Sequence, residues 1–219
     1  YREVAPGTVT YLDPVVTVGI DFSNLPESLC FYKPINTIGA GLLKKLTKGE
    51  AWYSRKRNGL AHIISKGSGR AKIYSRRMLR YQDDEVGGEF TLDIRYPHVV
   101  DAANELMPPN SILLGELVMD RKGLDDFKHV QSISKCLTPE AIALQANKGW
   151  LSYYIWDVAF WGGEDLVSKA PVRRRYDMIA DFNLPVGGPL RPIELATFKT
   201  PEAALVHAKK VGWEGYVVV

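Results

Sequence analysis

The apolar groups Ala51-Trp52-Tyr53, Leu60-Ala61 and Ile63-Ile64 mark two short strand-like runs, over residues 51–58 and 60–65, on either side of Gly59. Lys66-Gly67-Ser68-Gly69 reads as a hairpin turn, with Lys72–Ser75 as the return strand. The pattern then changes. Pro97 stands where a helix would begin, and Val99, Val100, Ala103, Leu106 and Met107 follow at helical spacing until Pro108-Pro109-Asn110. A strand is expected over 111–119 and helices over 125–136 and 139–148, the second with Thr138 as N-cap and Pro139 at its first position. A strongly apolar strand follows over 152–160, closed by Trp161-Gly162-Gly163. Helices are expected over 172–182 and from Thr200-Pro201-Glu202 onward, and the last strand over 213–219. Ahead of all this, residues 1–38 are punctuated by Pro6-Gly7, Asp13-Pro14, Leu25-Pro26 and Lys33-Pro34. They read as an extended arm with short strands, leading to a short helix over 40–48. Residues 83–88 read as an acidic loop. Strands and helices mix without regular alternation, which predicts an α+β fold with antiparallel sheets rather than a doubly wound one.

Composition narrows the class. The 219 residues are 46% hydrophobic and 24% charged, an ordinary globular balance with ample material for a core. The net charge of +3 rules out a polycation, but the charge is uneven. Nine Lys or Arg residues and no Asp or Glu lie between Ser54 and Arg80, a block that suits either a phosphate-facing surface or a solvated face. Cys30 and Cys136 are far apart and the four histidines are scattered, so neither a structural zinc site nor a disulfide framework is expected. No apolar run is long enough to span a bilayer and no signal peptide opens the chain, so an intracellular protein, cytoplasmic or nuclear, without a membrane partner is expected. The chain starts at Tyr1 and stops within a strand-like run, as a fragment of something longer would.

Candidate chemistry gathers on the strands. Lys56 sits between Arg55 and Arg57, just before Asn58-Gly59. Like charges nearby and partial burial disfavour an ammonium and make a lysine a usable nucleophile; a basic strand end on a solvated surface is the alternative. Three further strands each carry an acid that alternation does not explain. Glu116 in Leu114-Gly115-Glu116-Leu117-Val118 shares a face with Leu114 and Val118, where an unpaired carboxylate costs several kcal/mol. Gly115 beside it leaves room for a close approach to the backbone. Asp157 lies in Tyr153-Tyr154-Ile155-Trp156-Asp157, and Glu214 precedes Gly215-Tyr216-Val217. Each acid alone suits an edge charge or a salt bridge to an arginine. Together with the lysine and an aromatic plate they describe a sheet-floored nucleotide pocket, with carboxylates for Mg²⁺ and ribose and cations for phosphates.

These residues resemble the covalent nucleotidyltransferases, which include ATP-dependent DNA ligases, RNA ligases and mRNA capping enzymes. Lys56-Arg57-Asn58-Gly59 resembles the nucleophile motif, and Ile73-Tyr74-Ser75-Arg76-Arg77 the element after it. Leu113-Leu114-Gly115-Glu116 resembles motif III, Tyr154-Ile155-Trp156-Asp157 motif IIIa, and Glu214-Gly215-Tyr216-Val217-Val218 motif IV. Order and spacing agree over about residues 30–219. The segment 95–107 and Lys33-Pro34-Ile35-Asn36 are similar to ATP-dependent DNA ligases in particular.

The resemblance implies an ATP-grasp-like nucleotidyltransferase domain of two antiparallel sheets flanked by helices. The arm would occupy 1–38 and the adenylation domain 39–219, ending before motif V and an OB-fold domain. Lys56 would be the catalytic nucleophile, attacking ATP and carrying AMP to the 5′-phosphate of a nick before a 3′-hydroxyl seals it. Ser54, Asn58, Arg76, Glu116, Trp156 and Glu214 would join Lys56 in binding ATP, with Trp156 stacked on adenine. Glu116 and Glu214 would hold Mg²⁺, and Arg76 and Arg77 would meet the nucleic acid. The implied partners are ATP and nicked DNA, or RNA, acted on by a monomer, and the implied setting is DNA repair, replication and recombination. The chain departs from the DNA-ligase pattern at Asn58, Ala61 and Leu114, where Asp, Arg and Asp are usual. An amide at 58 still hydrogen-bonds but brings no charge. These departures keep open an RNA ligase, or an inactive module that binds nucleotide or nucleic acid; a capping-type enzyme is disfavoured by the ligase-like stretch before Gly115.

Overall fold

In the computed structural model the residues described are 2–5, 8–10, 20–23, 25, 51–75 and 91–219. The expected helix over 40–48, the loop over 83–88, and both Arg76 and Arg77 lie outside the described residues. Within the arm, strands β1 (Arg2–Ala5) and β2 (Thr8–Thr10) pair antiparallel.

Two larger sheets organise the rest. The smaller is antiparallel and has β3 (Ala51–Lys56) at its centre, between β12 (Leu195–Phe198) and β13 (Gly215–Val218). Alternation along β3 divides its side chains. Ala51 and Tyr53 enter a small core with Ala204, Phe198, Tyr216 and Val218, while Trp52 packs on the other face with Val118, Tyr154 and Tyr176 of the larger sheet's side. Ser54 and Lys56 share the parity of Trp52 and so face the larger sheet.

That larger sheet runs β10 (Glu164–Asp165), β9 (Ser152–Trp161), β6 (Ser111–Val118), β4 (Leu60–Lys66), β5 (Lys72–Ser75). Strand β11 (Leu190–Pro192) joins β9 in parallel, the single exception to an otherwise antiparallel arrangement among the described pairings. One face carries Ile64, Leu113, Leu117, Tyr153, Ile155 and Val158 into the main core. Helices α1 (Thr91–Arg95), α2 (Pro97–Leu106), α3 (Phe127–Lys135), α4 (Thr138–Lys148), α5 (Leu166–Lys169) and α6 (Val172–Ala180) contribute Leu92, Val99, Val100, Ala103, Val130, Ile133, Ala141, Leu166 and Ile179 to it. Each aliphatic side chain so buried contributes roughly 1.5–3 kcal/mol. Tyr153 and Tyr154 point to opposite faces, as strand neighbours must.

The pairing of β6 with β9 slips twice. Leu114 faces Asp157 but Gly115 faces Ile155, leaving Trp156 as an extra residue; Ala159 is skipped in the same way. Such bulges re-aim a side chain. Trp156 keeps the face of Tyr154, two residues before it, where it packs half-buried, while the extra residue shifts the phase beyond it so that Val158 rather than Asp157 enters the main core.

Helix boundaries follow the expected punctuation with small shifts. Thr200 caps α7 (Pro201–Val211), its hydroxyl accepting from the Ala203 N–H at 3.2 Å. Asp126 caps α3 in the same manner, from His129 N–H at 3.1 Å. The expected Thr138 cap is corrected: Thr138 is the first helical residue of α4, and Leu137 stands at the cap without a side-chain bond. The space beside Gly115 is also corrected. A Cβ there would lie 2.5 Å from the Tyr153 ring, so it is the core's own tyrosine, not a ligand, that approaches this backbone. Five short strands have no periodic signal in the sequence: β7 (Asp120–Arg121) with β8 (Leu124–Asp125), β10, β11 and β12.

Candidate active site

The chain passes from the small sheet to the large one at Arg57-Asn58-Gly59, between the end of β3 and the start of β4. Lys56 is the last residue before the crossing. Its side chain is 49% exposed and its Nζ ion-pairs with Glu214, itself 38% exposed, which precedes the neighbouring strand β13. Glu116 approaches from the large sheet, and the Gly59 N–H donates to its carboxylate. A Cβ on Gly59 would lie 2.2 Å from the Leu117 carbonyl oxygen and 2.9 Å from Glu116 Cγ. The glycine is therefore what lets the crossing press against β6. Lys56, Glu116 and Glu214 form one electrostatic group.

Burial pushes the Glu116 carboxyl up to about 7. The Lys56 ammonium and the Gly59 N–H pull it down, while Glu214 and Asp125 push the same way as burial.

The two arginines do something other than crowd the lysine. Their side chains are only 2% and 1% exposed. Arg55 bonds Glu194 at 3.0 Å, Asp125 at 3.1 Å and the Gly123 carbonyl at 2.9 Å, and stacks on Trp213. Arg57 bonds Asp125 at 2.8 Å and Asp120 at 3.0 Å, with its guanidinium 3.6 Å over the Tyr154 ring. Two buried cations thus meet three carboxylates, and burial of such charges is tolerable only when they are paired in this way. The solvated basic strand end is corrected for these residues. So is the idea that their charges act on Lys56 uncompensated.

The remaining expected residues distribute as follows. Ser54 is buried and its hydroxyl is hydrogen-bonded to Tyr176 of α6. Asn58 gives its backbone N–H to Asp125 at 2.7 Å. Trp156 stands on the same sheet face as Glu116, two residues along from Tyr154, which pairs with Glu116. Asp157 is structural: Arg175 clasps it through two bonds of 2.7 and 2.9 Å, both side chains buried. Sequence reasoning missed Asp120, Asp125, Glu194 and Tyr176. Their partners on β3 are separated from them by long stretches of chain, and the one available signal was that Arg55 and Arg57 alternate with Lys56 and so face away from it.

An open groove of about 460 Å³ touches this network at Asp120 and Glu194 and is lined further by Tyr154, Pro185, Val186 and Arg191. Lys56, Glu116 and Trp156 do not line it, so it is not the pocket that the lysine serves.

Among the described residues no three His, Cys, Asp or Glu side chains converge as a closed metal cage. Glu116 and Glu214 still fit Mg²⁺, which keeps several waters and asks for one or two carboxylates beside substrate phosphates. No helix among the described residues is long and apolar enough to cross a membrane.

A family model, the ATP-dependent DNA ligase domain, matches residues 33–217. Comparison with curated proteins finds no match. Among solved structures, the ligase domain from M. tuberculosis LigD is similar with a TM-score of 0.56 and 17% identity, covering 78% of this chain and 48% of that one. Mycobacterial DNA ligase D complexed with ATP and MES is similar with a TM-score of 0.52 and 19% identity, covering 77% of this chain and 47% of that one. At such identities the likeness carries the fold alone. The chain spans about half the length of these solved structures.

Proposed function

Since the chain belongs to the ATP-dependent DNA ligase domain family, we propose that it is the adenylation domain of a nick-sealing DNA ligase, with Lys56 as the nucleophile. The observation that carries this reading is the accessible Lys56 Nζ at the crossing of two sheets, flanked by Glu214 and Glu116. In the reaction, Lys56 Nζ forms a bond to the α-phosphorus of ATP as the bond to pyrophosphate breaks. AMP then passes from lysine to the 5′-phosphate of a nick. A 3′-hydroxyl attacks that phosphate, AMP leaves, and the phosphodiester is closed. Splitting one hard substitution into steps through a covalent lysine is the purpose of such a nucleophile.

The residues divide the work. Trp156 offers its face to adenine, with Ser54 and Tyr176 at the floor between the sheets. Glu116 and Glu214 would hold Mg²⁺, which supplies charge neutralisation on the triphosphate. Glu214 also ion-pairs with Lys56 and so would place the cation next to the nucleophile. Asn58 contributes its N–H to Asp125, so its lack of charge leaves the crossing intact. Arg76 and Arg77 would take the nucleic acid phosphates. Nick sealing of this kind serves repair, replication and recombination of DNA.

The test is sealing by the full natural chain with ATP and Mg²⁺. Closure of a nicked DNA duplex is expected. Closure of nicked RNA only would replace the DNA assignment with an RNA ligase, and closure of neither would remove the ligase reading.

A further inference from the structure

Asp125 has no part in the reaction as described, yet it makes more bonds to the Lys56 segment than any residue of the proposed chemistry. Its side chain is 7% exposed. It accepts from Arg55 Nη2 at 3.1 Å, from Arg57 Nη1 at 2.8 Å and from the Asn58 backbone N–H at 2.7 Å. The next N–H of the crossing, that of Gly59, goes to Glu116. Two successive backbone donors, two and three residues after Lys56, are thus held by two carboxylates from the large sheet and its extension. The carboxylate of Asp125 is itself placed by the small hairpin of β7 and β8, in which Asp120 pairs with Asp125 and the Asp126 N–H bonds the Met119 carbonyl at 2.8 Å.

We propose that Asp125 is a positioning residue for Lys56: it clamps the backbone of the crossing against the buried arginines and thereby fixes where Nζ stands relative to Glu116. The inference rests on the ligase reading above. A nucleophile held on a clamped backbone meets the α-phosphorus in line, and a displacement of about 1 Å from such geometry costs on the order of 100-fold in rate. Asn at this position keeps the shape but presents an amide N–H₂ to donors that need an acceptor. Asp125 is itself assigned no contact with ATP, and its bond to Asn58 is to the backbone and not to the side chain, so it acts on the rate of attack more than on nucleotide affinity.

The experiment compares the full natural chain with Asp125→Asn in single-turnover formation of the lysine–AMP adduct over a range of ATP concentrations. The expected result is a maximal rate lowered by roughly 10- to 100-fold with the half-saturating ATP concentration changed by less than about 3-fold. Asp101→Asn, which loses an exposed pair with Arg70 remote from the crossing, is the control and keeps the parent rate. An unimpaired Asp125→Asn, or one altered only in half-saturation, overturns the inference. A parent chain that takes no AMP removes the ligase reading and this inference with it, whereas a labelled parent with an unimpaired variant removes the inference alone. If Asp125→Asn does not fold, amide hydrogen exchange in the parent decides. The Asn58 N–H is expected to be strongly protected, and an unprotected Asn58 amide overturns the clamp.

Discussion

At the scale of the residue, Glu116 carries the clearest physical signature. Its carboxyl titrates at about 7 in the fold against 4.5 for the free group, chiefly because it is buried. The sign follows from linkage. Between 4.5 and about 7 the folded state binds the proton that the unfolded state releases. The stability that Glu116 contributes is therefore complete below 4.5 and lost as pH rises through about 7. The span corresponds to at most about 3 kcal/mol. Glu116→Gln removes this dependence. Urea unfolding of parent and variant is expected to show the variant gaining on the parent between pH 5 and pH 8; an unchanged gap would mean that Glu116 ionises normally. His62 titrates oppositely: burial lowers it to about 4, so its contribution is present above 6.5 and lost as pH falls through about 4. The ionised form that the proposed Mg²⁺ role of Glu116 requires is therefore favoured as pH rises through about 7.

At the scale of the element, two short irregularities shape the sheets around the site. One is the crossing, where Gly59 allows β4 to start directly against β6. Gly59→Ala would drive a methyl group to within 2.2 Å of the Leu117 carbonyl, and backbone cannot swing aside as a side chain can. The expected cost is about 2 kcal/mol or more, at the upper range for overpacking, read as a lower urea midpoint. A variant as stable as the parent would mean that the crossing is loosely packed. The other irregularity is the bulge at Trp156, which shifts the phase of β9 so that Val158 rather than Asp157 enters the main core. Here the reach of the sequence is plain. The strand over 152–160 was legible from its apolar run, but a strict period of two cannot show a skipped residue, because a bulge is settled by the partner strand's register. The same holds for β7, β8 and β12, which are too short for a periodic pattern and exist through pairing with distant residues. Helices were legible wherever a proline or an N-cap marked a start, as at Pro97 and Thr200, because those signals are local.

At the scale of the whole molecule, the fold is two sheets that meet along the Lys56 crossing, tied by a buried network that reaches from β3 to the β7–β8 hairpin and Glu194. The residues that would touch nucleotide were legible in the sequence because their types are out of place on apolar strands: Lys56, Glu116 and Glu214 are brought together as expected. The residues that hold them were not. Arg55 and Arg57 look like surface charge until their partners, which lie from 63 to 139 positions along the chain, are folded against them. A buried network of this kind fixes geometry rather than adding stability, since the desolvation of its charges offsets most of their attraction. The account stands or falls on whether Lys56 becomes covalently linked to AMP. The direct measurement is incubation of the full natural chain with Mg²⁺ and ATP labelled at the α-phosphate, followed by peptide mapping. The account predicts label retained through denaturation, carried on the peptide containing Lys56, absent with ATP labelled at the γ-phosphate and absent in Lys56→Ala. Label that persists in Lys56→Ala, or that maps to another residue, would contradict it.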